Sequence, residues 1–205
     1  MNTDTPKNRM LPVMEHFYTL QGEGCFSGQA AYFIRLAGCD VRCPWCDVKE
    51  SWTATKEQWA DIRALVDQIP GQAPIAVVTG GEPLLHDLDE LTALLQAKGL
   101  RTHLETSGSR ALSGHWDWIC VSPKEAKVPT EEALSRADEL KMVISGPDDL
   151  RQAEHYAAQT KQGCILLLQA EWDRRNEVTP LLTEYIKSHP RWRASVQIHK
   201  YMDIP

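Results

Sequence analysis

Eight residues, CDVRCPWC, run from Cys39 to Cys46 and set three thiols at Cys39, Cys43 and Cys46, with three residues in the first gap and two in the second. A chain with this run must fold so that one short loop brings three sulfurs to one point, with the neighbouring elements holding the loop in place. Thiolates are soft ligands, and convergent ones select zinc, copper(I) or an iron–sulfur cluster. A closed structural zinc site takes four protein ligands, usually as two separated pairs, and no second Cys/His pair stands here at that spacing. Three ligands suit a four-iron cluster whose fourth iron is left open. The other cysteines read differently. Cys120 and Cys164 sit in apolar runs and pack as small hydrophobes. Cys25, close to QGEG, is a rival fourth ligand.

The chain has 205 residues and is read as a loose polar tail over 1–12 and one domain over 13–205. A hydrophobic fraction of 42% supports a real core. A formal charge of -6 argues against a nucleic-acid-coating protein, which would carry a basic stripe, yet leaves room for a small anionic substrate held by local cations. The first ten residues lack the apolar run of a signal peptide, and the longest apolar run, Cys164 to Leu168, is far too short to span a bilayer. Six cysteines without a signal fit a reducing cytoplasm. The expectation is a cytoplasmic protein with no membrane or nucleic-acid partner.

Periodicity predicts strands over 14–20, 30–36, 75–79, 101–106, 117–121, 139–144, 164–169 and 194–199. Helices are predicted over 55–69, with Thr55 and Gln58 as a capping box, and from Asp87 to a stop at Gly99. A third opens at Gly146-Pro147 and a fourth runs from Thr179-Pro180 through Ile186. Strands alternating with helices argue an α/β fold with a mainly parallel sheet. The cysteine loop follows the strand over 30–36, and such enzymes place their chemistry past strand C-termini.

The CX3CX2C spacing, with Trp45 before the last cysteine, resembles the cluster loop of radical S-adenosylmethionine (SAM) enzymes. LQGEG (Leu20–Gly24), FIRLAGC (Phe33–Cys39), TGGEP (Thr79–Pro83), ETSG (Glu105–Gly108), VSPK (Val121–Lys124) and HKY (His199–Tyr201) together resemble 7-carboxy-7-deazaguanine synthase, over about Phe17 to Pro205. The resemblance implies a shrunken partial (β/α) barrel, because several crossovers are too short for a full helix. It implies a [4Fe-4S] cluster on Cys39, Cys43 and Cys46, with SAM on the open iron. The implied reaction is radical ring contraction of 6-carboxy-5,6,7,8-tetrahydropterin to 7-carboxy-7-deazaguanine with loss of ammonia, on the route to deazapurines such as queuosine.

Residue by residue, the resemblance assigns Trp45, Thr79, Gly80, Gly81, Glu82, Glu105, Ser122, Lys124 and Gln169 to the cofactor, with Glu82 near the SAM amino group. It assigns Gln21, Glu23, Arg35, Thr79, His199 and the terminal Pro205 to the substrate. The chemistry agrees: Glu23 can accept from the donors of an aminopyrimidinone, Gln21 can pair with its amide, and a guanidinium at Arg35 suits a carboxylate. Plainer readings stand beside these. TGGE also suits an ordinary strand–helix turn, Glu105, Ser122, Lys124 and Gln169 also suit solvated strand ends, and His199 an edge histidine. No general base is assigned. The chain departs from the family after Asp47, where Val48 replaces the threonine whose hydroxyl helps hold Mg2+ and so offers no oxygen. The family also implies an electron donor such as flavodoxin, and a homodimer. The rivals are another small radical SAM protein, such as a glycyl-radical activase, or a zinc-stabilised binding module.

Overall fold

A computed structural model describes residues 9–205. β1 (Met10–Leu20) returns through a turn to β2 (Ala30–Leu36) as an antiparallel pair. The chain then crosses over through the cysteine loop, β3 (Trp59–Asp61) and the short α1 (Ile62–Asp67) to β4 (Ile75–Gly80). There follow α2 (Asp89–Ala97), β5 (Arg101–Thr106), β6 (Trp118–Val121), α3 (Glu131–Arg136), β7 (Glu139–Ile144), α4 (Pro147–Ala157), β8 (Ile165–Ala170), α5 (Arg175–Ser188), β9 (Trp192–Ser195) and α6 (Ile198–Met202). Among the described residues one sheet joins all nine strands in the order β3-β1-β2-β4-β5-β6-β7-β8-β9, parallel from β2 to β9 and open between its two end strands. This is the expected α/β fold with mainly parallel strands. Its crossovers are as short as the sequence implies: residues 107–117, between β5 and β6, carry no helix, and α3 has six residues.

The two faces of the sheet differ because side chains alternate along each strand. Ile34 and Leu36, Ala76 and Val78, Leu104, Ile119 and Val121, Leu140 and Met142, and Leu166 and Leu168 point to the helices and form the main core. The alternate positions carry Phe33 and Arg35, Val77 and Thr79, Glu105, Cys120, Glu139 and Lys141, and Gln169. A strand buried on both faces is normally apolar on both, so a buried row of charged and amide side chains on one face marks a polar cavity.

Four expectations are corrected. Residues 1–8 of the expected tail lie outside the described residues, but Met10 to Pro12 already belong to β1, paired with Asp61 to Trp59 of β3. The helix expected over 55–69 is therefore only α1. Residues 59–61 are drawn out as an edge strand because β1 runs past the end of β2 and leaves backbone groups to pair. The Thr55–Gln58 box exists but caps a single 3-10 turn, and Asp61 caps α1 by accepting from Arg63 N and Ala64 N. α5 begins at Arg175, with Pro180 inside it. Pro180 removes the usual donor to the carbonyl of Asn176, which is tolerated because both residues are exposed. The last strand stops at Ser195, and His199 lies on α6, which ends at Asp203 in a left-handed conformation (φ 54°). Asp87 accepts from Asp89 N just ahead of α2, and Gly99 (φ +88°) ends that helix as expected. Among the described residues no helix is long and apolar enough to cross a membrane.

Candidate active site

The polar face of the sheet opens into a cavity of about 540 Å³. Every site residue named from the sequence lines it, from Gln21 and Glu23 at one end of the chain to His199 and Pro205 at the other. Cys39, Cys43 and Cys46 all line it, and Cys25, Cys120 and Cys164 do not.

The cysteine loop leaves the end of β2 and is closed at its base, where Gly38 N donates to Ser51 O (2.7 Å) and Cys39 N to Trp52 O (3.1 Å). Cys46 N donates to Cys43 O (3.1 Å), which turns the last gap back on itself, and Arg42 takes a left-handed conformation (φ 53°) in the first. Burial pushes the Cys43 thiol up, Lys124 pulls it down, and the sulfurs of Cys46 and Cys39 add to the rise, so the three thiols sense one another across the cavity. Among the described residues no three His, Cys, Asp or Glu side chains stand close enough to close on one ion. A four-iron cube takes one sulfur on each of three irons, so its ligands stand farther apart than those of a single ion. A thiol triplet around an open cavity, with a lysine beside it, fits that group. Lys124 also lies over the Trp45 ring (5.1 Å) and donates to Ser122 Oγ (2.6 Å), which ties VSPK to the cysteine loop.

TGGE has a structural task of its own, as the plainer reading of a strand–helix turn expects. A Cβ on Gly80 (φ +135°) would overlap the Leu36 carbonyl, and one on Gly81 would overlap the Gly38 carbonyl and stand 2.8 Å from Cys39 Cβ. Gly81 N donates to Leu36 O (2.9 Å) and Glu82 N to Gly38 O (2.8 Å). The two glycines thus bring the turn after β4 against the root of the cysteine loop. Glu82 is buried, and four protein donors fill its carboxylate: Leu84 N, Thr106 Oγ1, Ser107 N and Ser107 Oγ. Those donors occupy its four lone-pair positions, so the side chain clamps the turn to the end of β5.

At the other end of the cavity QGEG and the C-terminal segment form one unit. A Cβ on Gly22 would overlap the imidazole of His199, and Ile198 N donates to Gly22 O (2.9 Å). Gly24 (φ +70°) leaves room in the same way for the Glu139 carboxylate. Lys200, next to His199, pairs with Asp47 of the cysteine loop (2.8 Å). Glu23 accepts from Lys141 Nζ (2.6 Å) and Gln197 Nε2 (2.7 Å), and Gln21 Nε2 reaches Glu105 (3.4 Å). Burial would raise the Glu23 carboxyl, but the Lys141 ammonium and the Gln197 amide override it and hold it at about 2. Glu105 goes the other way: burial raises it, Lys141 opposes, and the charges of Glu139 and Glu23 add to the rise. Arg35 faces the cavity beside Phe33, its Nε on Glu15 of β1 (2.6 Å) directly across the strand pair. Gln169 accepts from Ser195 Oγ (2.7 Å). Val48 lines the cavity with no side-chain oxygen, and the nearby Ser51 hydroxyl is spent on Val48 O (2.7 Å).

Lys141, Glu139 and Gln197 were missed from the sequence. The signal was present in ELKMVI, where Glu139 and Lys141 share one face of an otherwise apolar strand. A buried strand does not hold a lysine without a partner, and the two partners lay 36 and 118 residues away.

The Radical SAM superfamily family matches residues 33–153, more than half of the chain. A 7-carboxy-7-deazaguanine synthase of Flavobacterium psychrophilum is 49% identical, over 97% of this chain and 95% of that one. Another, of Synechocystis sp., is 45% identical over 94% and 93%. The crystal structure of QueE from Escherichia coli superposes with a TM-score of 0.83 at 33% identity, covering 92% of this chain and 94% of that one. The likeness covers more than nine-tenths of this chain and of each of these relatives, and the chain accordingly belongs to the 7-carboxy-7-deazaguanine synthase family of radical SAM proteins.

Proposed function

We propose that this chain contracts 6-carboxy-5,6,7,8-tetrahydropterin to 7-carboxy-7-deazaguanine with loss of ammonia. The observation that carries the reading is one cavity in which the thiol triplet meets a recognition end built from QGEG and the C-terminal helix. Cys39, Cys43 and Cys46 hold the cluster, and the side chains of Trp45, Thr79, Glu105, Ser122, Lys124 and Gln169 face SAM, with Gly80 and Gly81 shaping the turn beneath it. When bound, the cluster and SAM would supply the one-electron radical chemistry that opens the reaction at the pterin. Glu23, already ionised, accepts from the amino and ring N–H donors of the pterin edge, and Gln21 pairs with the adjacent amide. Arg35 keeps its terminal N–H groups for the substrate carboxylate, because Glu15 takes only Nε. His199, seated on Gly22, closes the recognition end, with Pro205 beside it. A flavodoxin-like donor, a homodimer and a cytoplasmic setting complete the proposal. Mg2+ is a minor participant, held by substrate oxygens and water, since Val48 gives it no ligand.

The test is anaerobic turnover of the reconstituted protein with pterin, SAM and reductant, read as growth of deazaguanine ultraviolet absorbance. Cys43→Ala protein is expected to lack both the broad visible absorbance of the cluster and all turnover. Full activity in that variant, or an intact cluster that yields no deazaguanine, would overturn the proposal.

A further inference from the structure

The side chain that joins the two ends of the cavity is Lys141. Only 6% of it is exposed, and its ammonium donates to Glu23 Oε2 (2.6 Å) and Glu105 Oε2 (3.0 Å). Glu139, two residues back on β7, lies on the same face and accepts from Cys25 N (3.1 Å) and Trp118 Nε1 (3.3 Å). The lysine is thus the cation shared by two partly buried carboxylates, with the buried Glu139 on the same face, and it reaches Glu23 from a strand distant in sequence. Gln197 fixes the other oxygen of Glu23. Each oxygen keeps one lone pair, so the carboxylate remains an acceptor of two parallel donors.

We propose that Lys141 is a positioning residue for substrate recognition: it holds Glu23 ionised and correctly turned, and ties it to Glu105 on the cofactor side. The inference rests on the reading of the cavity as a pterin site. Without the ammonium, the buried Glu23 would take up a proton at mildly acid pH, and a protonated carboxyl loses an acceptor that the ligand's two N–H donors need. The other titratable groups facing this pair are Glu105 of β5, Cys120 of β6, Lys124 beyond β6, Glu139 of β7 and His199 of α6. All of them are common to the wild type and the variants below, so the comparison isolates Lys141.

The experiment is anaerobic titration calorimetry of the reconstituted full chain with 6-carboxypterin, from pH 5 to 7.5. Lys141→Met is expected to bind about ten- to hundredfold more weakly at pH 7, the loss typical of a charge-assisted hydrogen bond. It should also lose further affinity towards pH 5, beyond any loss in the wild type, and Lys141→Arg should recover part of the wild-type profile. Weaker binding with the wild-type pH profile would mean a merely structural role and overturn the inference alone. A wild-type protein that does not bind the pterin removes both the proposed function and this inference. A measurement on the wild type stands even if the variants fail to fold: the carboxyl carbon-13 signal of Glu23 should stay that of an ionised group down to pH 4. A midpoint between pH 4 and 6 would overturn the proposal.

Discussion

Gly81→Ala separates two reasons for a glycine. The backbone of Gly81 is outside the left-handed region, so alanine can adopt it, and the cost lies in what the added methyl meets. It meets the Gly38 carbonyl and Cys39 Cβ, which are backbone and near-backbone atoms that cannot swing away. The turn after β4 must then lift from the cysteine loop, stretching the bonds from Gly81 N to Leu36 O and from Glu82 N to Gly38 O. Two such bonds contribute about 0.5–1.5 kcal/mol each, and overpacking a tight contact costs about 1–3 kcal/mol, which together gives about 2–6 kcal/mol. Two controls bracket it. Gly99 has φ +88° with nothing within 4 Å, so Gly99→Ala carries only the left-handed penalty of about 1–2 kcal/mol. Gly146 has extended backbone and open space, so Gly146→Ala stays within about 0.5 kcal/mol. Urea unfolding of the metal-free chains measures all three, because the cluster is then uncoupled from the transition. Iron per reconstituted chain should fall for Gly81→Ala alone. Equal costs at Gly81 and Gly99, with iron retained, would refute the account of TGGE as a brace for the cysteine loop.

Two further outcomes are expected. His103 is buried among Phe26 and Trp118, its Nε2 has no hydrogen-bond partner among the described residues, and burial, helped by Arg101, lowers its pKa from 6.5 to about 4. Between those values the unfolded chain binds the extra proton. Its contribution to stability is therefore complete above pH 6.5 and is lost as pH falls towards 4, by up to about 1.4 kcal/mol per pH unit. His103→Leu should flatten the dependence of the urea midpoint over that range, and an unchanged slope would defeat the assignment. Mg2+ should stimulate turnover only weakly, and Val48→Thr should strengthen the response by supplying a hydroxyl; a strict Mg2+ requirement in the unaltered protein, read by chelator titration, would contradict this.

Much of this protein was legible in its residues. The alternation of apolar runs and helical periods gave the parallel sheet, because side-chain period is a local property that burial on one face imposes. The cysteine spacing and QGEG, TGGEP and HKY gave the family and the roster of cavity residues, since a ligand set is written as identities at fixed intervals. Two of the boundaries that failed share one cause. Residues 59–61 became a strand and His199 joined a helix because distant partners, the overhang of β1 and the backbone of Gly22, claimed those backbone groups.

Chemical vocabulary, then, was written in the chain: which atoms can ligate iron, which can pair with a pterin, and where no oxygen exists for magnesium. Tertiary structure alone decided what each group is already engaged in. Glu82 is saturated by β5, Gly81 yields space to a cysteine loop more than forty residues earlier in the chain, and Lys141 converts Glu23 into a fixed anion. Electrostatic and steric energies depend on distance in space, and a buried pair 118 residues apart has no local signature to read.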